Sequence, residues 1–102
     1  MTSAGWSEDP VVRKFREQIS DADRVILATL NRRIELVGRL RDYKQERGYP
    51  FVDRDRESAL LDELERANTG PLSSEGLREL YAGLLDLVKR ELEPSPAERE
   101  RR

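Results

Sequence analysis

The sequence contains no histidine and no cysteine. Without cysteine there is no disulfide, no thiolate nucleophile and no cysteine-ligated zinc or iron–sulfur centre. Without histidine the serine–histidine triad, the usual general base near neutral pH and the commonest transition-metal ligand are excluded. Aromatic residues are scarce at 6%: Trp6, three Tyr and two Phe. No apolar run approaches the ~18 residues of a membrane span. Met1–Pro10 also lacks the basic start and apolar stretch of a targeting segment. Neither sign of charge dominates, since 19 Lys and Arg face 21 Asp and Glu for a net −2, although 39% of residues are charged. Such a balance argues against a nucleic-acid footprint or a basic membrane anchor. The expectation is a soluble, cytoplasmic domain with no cofactor, no metal, no nucleic-acid partner and no membrane partner. Any catalysis has to work without histidine, cysteine or a soft metal.

What is present is helical periodicity. The 102 residues allow one domain of ordinary size, with 36% hydrophobic content and a mean hydropathy of −0.80. Asp9-Pro10 is a helix start, because an Asp N-cap satisfies an orphan N–H and Pro suits the first helical position. Val12, Phe15, Ile19, Ala22, Ile26, Leu30, Val37 and Leu40 then recur mostly three or four apart, which is a helical stripe. Gly48-Tyr49-Pro50 stops it near Arg47. Gly38 lies mid-helix at a cost of ~1 kcal/mol relative to Ala, a cost explained by close packing against another helix. A second helix runs from about Asp53 to Asn68 on Leu60, Leu61, Leu64 and Ala67, with Asn68-Thr69-Gly70-Pro71 as its stop. A third starts at Ser73 or Ser74 and carries Leu77, Leu80, Tyr81, Leu84, Leu85, Val88 and Leu92 before Pro94-Ser95-Pro96. The fold class is all-α, with residues 1–8 as a flexible arm, 9–93 as the helical domain and 94–102 as a disordered charged tail.

Length then bears on assembly. A helix from Pro10 to about Arg47 is ~57 Å long, whereas a compact chain of this size has a radius of gyration of ~13 Å. Two shorter helices cannot cover its whole stripe. Either the helix breaks or a second chain covers it, and an isologous homodimer with paired long helices is the favoured solution.

Most charges belong to solvated faces, with Glu/Arg pairs at three- and four-residue spacing. The informative ones interrupt the stripes. Arg33 follows Leu30 by three and precedes Val37 by four, and Lys44 follows Leu40 by four and Arg33 by eleven. Eleven residues are about three turns, so both cations share a face ~16 Å apart along the axis, within reach of a small anion between them. In the second helix Asp53 and Glu57 precede Leu61 and Leu64 on one face, flanked by Arg56. A buried charge without a partner is costly. These groups therefore form an internal network of Arg33, Lys44, Asp53 and Glu57, or they line a pocket with cations for carboxylates and acids for a hydroxyl. The pattern does not decide between the two. Other chemistry is missing: Gly70, Gly76 and Gly83 lack phosphate-loop spacing, metal-carboxylate bundle sites want Glu-x-x-His, and Arg32, Arg33, Arg39 and Arg41 read as a solvated basic flank.

In order and spacing the chain resembles the all-helical AroQ class of chorismate mutases over about Val12 to Leu92. The family's Leu-Arg-x-x-Ile-x-x-x-Asp is here Phe15-Arg16-Glu17-Gln18-Ile19-Ser20-Asp21-Ala22-Asp23. An Arg-Arg-x-Glu-Leu segment follows as Arg32-Arg33-Ile34-Glu35-Leu36, then Lys44, then Asp53-Arg54-Asp55-Arg56-Glu57 for Asp-x-x-Arg-Glu. Each piece is weak alone, but the ungapped series from Arg16 to Glu57 is specific. The resemblance implies an intertwined homodimer of three-helix chains with a very long first helix. It implies the Claisen rearrangement of chorismate to prephenate, toward Phe and Tyr. That reaction is unimolecular and needs no cofactor, nucleophile or proton shuttle, only a held conformer and stabilised developing charge.

By position, the resemblance gives Arg33 one substrate carboxylate, bound in bidentate fashion, and brings Arg16 to the same pocket from the partner chain. Lys44 binds a carboxylate and donates to the ether oxygen. A backbone group near Asp53 and the Glu57 side chain hold the ring hydroxyl, Arg56 supports the pocket, and Val37, Leu40 and Leu85 form apolar walls. The departure lies in the third helix. The family places a Ser and, four residues on, a Gln or Glu against the substrate, where matching stripes put Val88 and Leu92. A one-residue shift brings Glu91 to the second place, and Lys89 is another donor nearby. Losing one such donor costs on the order of a hundredfold in rate, so the expectation is weak activity alone or activity rescued by a partner. Some family members are stimulated by DAHP synthase, which makes it the candidate partner. Two further readings stay open: an isochorismate-pyruvate lyase or aminodeoxychorismate mutase on the same fold, and a non-catalytic helical dimer that binds a partner or metabolite.

Overall fold

A computed structural model of the chain describes residues 4–93. Four helices follow one another: α1 (Ala4–Ser7), α2 (Pro10–Glu46), α3 (Arg54–Ala67) and α4 (Ser74–Glu91). Helices account for 81% of the described residues, and none of those residues lies in a strand. The three helices expected from periodicity are α2, α3 and α4. The short turn α1 has no counterpart in that expectation, because four residues are too few for a periodic signal. The charged tail 94–102 lies outside the described residues.

Local chemistry explains each boundary. Asp9 opens α2, its Oδ1 accepting from Val11 N–H at 2.8 Å and its carbonyl from Arg13 N–H at 2.9 Å. At the other end Gly48 adopts φ +71°, the left-handed conformation that glycine enters without a Cβ penalty. Tyr49 N–H then reaches Lys44 O at 2.8 Å and Gly48 N–H reaches Gln45 O at 3.2 Å. That nested pair satisfies carbonyls the helix leaves orphaned. The N-cap of α3 is Asp53, whose Oδ1 accepts from Arg56 N–H at 2.9 Å. Asn68 caps its C-terminus and also donates from Nδ2 to Leu72 O at 2.7 Å, which folds the connection toward α4. Ser73 is the N-cap of α4, its Oγ accepting from Gly76 N–H at 3.0 Å.

The chain divides into two units, Met1–Glu35 and Leu36–Arg102. In the first, α1 and the first part of α2 leave every large apolar side chain partly or largely open. Phe15 is 60%, Ile19 59% and Ile26 63% exposed, although all three lie on the apolar stripe. The second unit holds the core. Leu77 and Val88 of α4 are its buried side chains, and Leu61, Leu64, Leu84 and Leu85 are half-buried around α3 and α4. Gly38 lies against Leu92, where an added Cβ would sit 3.3 Å from Leu92 Cδ2. Close helix packing is therefore the reason for the mid-helix glycine. Arg41 ties the same end of α4, donating from Nη1 to Leu92 O.

Candidate functional site

In the second unit the turn after α2 and the start of α3 enclose an open cleft of about 400 Å³, lined by Lys44, Tyr49, Pro50, Val52, Asp53, Arg54 and Asp55. Lys44 sits in the last turn of α2, half-buried, with Nζ donating to Phe51 O at 3.4 Å. Asp53 is exposed and its Oδ1 is committed to the cap. Its backbone carbonyl accepts from Glu57 N–H at 3.1 Å, closing the first turn of α3. Arg56 is exposed on the first turn of α3, and its backbone N–H is the one Asp53 caps.

Glu57, next to Arg56 in the first turn of α3, is half-buried and pairs across to α4, where Lys89 Nζ stands 2.6 Å from Glu57 Oε1. Both side chains remain about a third exposed, at 28% and 35%, so the pair is reachable from solvent. Lys44, Asp53 and Glu57 thus have separate partners and do not pair with one another. The closed charge network that was one reading of the sequence is not formed among these three. The pairing of Glu57 with Lys89 is the contact that sequence reasoning missed. Lys89 was identified as a donor on α4, but no spacing rule predicts which side chain of a different helix it meets.

Along α4 the remaining positions divide clearly. Val88 is 2% exposed and belongs to the core. Leu92 is half-buried and lies against Gly38. Glu91 is exposed in the last turn, and Leu85 is half-buried. Neither Val88 nor Leu92 can donate a hydrogen bond, and Lys89 is the α4 cation that engages α3 here. On α2, Val37 is half-buried and Leu40 is 49% exposed.

The first unit carries two more of the cations singled out from sequence. Arg33 is half-buried and, among the described residues, makes no ion pair. Arg16 is exposed and lies over the Trp6 ring, its guanidinium carbon 5.1 Å from the ring centroid. No group of acidic residues among those described could hold a metal ion. No helix there is long and apolar enough to cross a membrane.

The described residues form an all-α protein. The model of the family described as chorismate mutase type II matches residues 15–93, from Phe15 in α2 to Glu93 just past α4. The chain belongs to that family. No curated protein and no solved structure gave a significant match.

Proposed function

We propose that this protein is a chorismate mutase that converts chorismate to prephenate, the branch-point step toward Phe and Tyr. The observation that carries the reading is the cleft at the junction of α2 and α3. It sets a cation, Lys44, beside the Asp53 cap, where family position expects a carboxylate-binding Lys and a hydroxyl-holding backbone. Membership of the chorismate mutase type II family supports the substrate class.

The mechanism follows from the chemistry of these groups. Chorismate is a dianion, and its rearrangement breaks an ether bond while charge builds on that oxygen. Arg33 takes one carboxylate through two parallel N–H donors. Lys44 takes a carboxylate and donates to the ether oxygen. Glu57 and the backbone at Asp53 hold the ring hydroxyl. Arg16 enters from the partner chain of a homodimer, so each site needs two subunits. On α4, Lys89 supplies the donor that Val88 and Leu92 lack, and its ion pair holds the Glu57 side chain in place. Interactions that strengthen as charge develops accelerate the step, whereas those equal in both states only bind substrate.

The test is loss of the ultraviolet absorbance of chorismate on adding purified protein, alone and with DAHP synthase, with product analysis to separate prephenate from lyase or amino-mutase products. Depletion with prephenate as product is expected, stimulated by DAHP synthase. The Arg33→Ala variant should lose at least about a hundredfold in kcat/KM, because it removes an anchor used in ground and transition states. Unchanged absorbance in both arms sinks the proposal.

A further inference from the structure

Trp6 is the single tryptophan of the chain, and burial does not account for it, since it stays 57% exposed. What engages it is a cation. The turn α1 is closed by Asp9 N–H donating to Trp6 O at 3.2 Å, and Arg13 Nη2 holds the following carbonyl of Glu8 at 3.1 Å. These local bonds fold the arm back along the start of α2 and bring the indole under Arg16, at 5.1 Å from guanidinium carbon to ring centroid. Among the described residues no hydrogen bond or ion pair to Arg16 competes with this contact.

A stacked guanidinium uses its face for the ring and keeps its N–H edge free. That edge is the part that recognises a carboxylate in bidentate fashion. Arg16 otherwise stands on an exposed stretch of helix with many rotamers open to it, and ordering a long side chain opposes binding. We infer that Trp6 is a positioning residue. It holds Arg16 in a stacked conformation with the donor edge presented to a substrate carboxylate. The inference rests on the function proposed above, in which Arg16 serves the partner's site.

The experiment is a double-mutant cycle on chorismate turnover, with tryptophan quenching as an independent readout. Trp6→Ala is expected to raise KM about two- to fivefold, the range set by a solvent-exposed cation–π contact. Its kcat should be unchanged, because a carboxylate is held alike in both states. Trp6→Phe keeps a ring face and should restore most of the loss. In an Arg16→Ala background, Trp6→Ala should add nothing, since the pair acts as one unit. Without substrate, Arg16→Ala should increase acrylamide quenching of the Trp6 emission by uncovering the ring. An equal KM rise in the Arg16→Ala background overturns the inference, as does a fall in kcat at constant KM. Unchanged quenching overturns the contact itself whatever the activity. If quenching responds but the wild type leaves chorismate untouched, the proposed function has failed. The positioning role then falls with it, and only the contact stands.

Discussion

Lys89 and Glu57 make opposite demands on each other at the scale of single side chains. As a stability element the pair is minor, because both groups are about a third exposed and such pairs contribute about 0–1 kcal/mol. In the proposed site it matters more, since it is where α4 offers a cation to Glu57. Lys89→Ala is therefore expected to lower kcat/KM by on the order of a hundredfold while changing urea-unfolding stability by less than about 1 kcal/mol. Steady-state kinetics beside a denaturant titration separate the two. A kinetically silent variant would move the donor role to Glu91. The sequence reading reached Lys44 and Glu57 because a charge on an apolar stripe stands out against its neighbours, and it reached Lys89 only through the family resemblance, as a donor near the expected positions. It did not reach their pairing. Which cation meets Glu57 depends on the register of α3 against α4, and register is set by the packing of Leu77, Val88 and the half-buried leucines rather than by any local signal.

Between elements, α3 and α4 are joined on their outer side by Arg78. Its Nη2 reaches Glu65 Oε2 at 2.9 Å and Asp62 Oδ1 at 3.0 Å, and its Nε also donates to Glu65. The hydrogen bond from Arg78 holds the Glu65 carboxyl below its ordinary value of 4.5, helped by the Arg78 charge and opposed by partial burial. The Arg78 guanidinium is raised in turn by Glu65 and then Asp62. A carboxyl with a depressed folded pKa stabilises the fold above its unfolded pKa and loses that contribution as pH falls through the folded one. Arg78→Ala should accordingly lower Tm at pH 7, and the gap to wild type should close as the pH drops below 4.5 toward full protonation of Glu65. Thermal melts across that range would show it, and a gap independent of pH would disprove it. The helix boundaries were legible because caps are local: Asp9, Gly48, Asp53, Asn68 and Ser73 each act within a few residues of where they stand. The Arg78 clamp spans 13 and 16 residues, and α1 is a single turn of four residues. Neither leaves a periodic trace.

For the whole molecule, the first unit is the informative half. Helix α2 contains no buried residue along its 37 positions, yet its stripe includes Phe15, Ile19 and Ile26, each about 60% exposed. Apolar surface removed from water contributes roughly 25 cal/mol per Å², so an amphipathic helix left this open has a strong reason to associate. The homodimer proposed above would cover it. Ile26→Glu should shift the protein toward monomer in light scattering and make Tm fall with dilution more steeply than in the wild type. An unchanged dimer would place the interface elsewhere. The position of Arg16 on that same open helix has a genetic consequence. If Arg16 completes the neighbouring subunit's site, the Arg16→Ala and Arg33→Ala chains are each impaired alone but carry complementary defects. A mixed dimer then has one site with both lesions and one with neither. Refolding equal amounts together should recover about a quarter of wild-type turnover at limiting substrate, so two impaired alleles would complement each other.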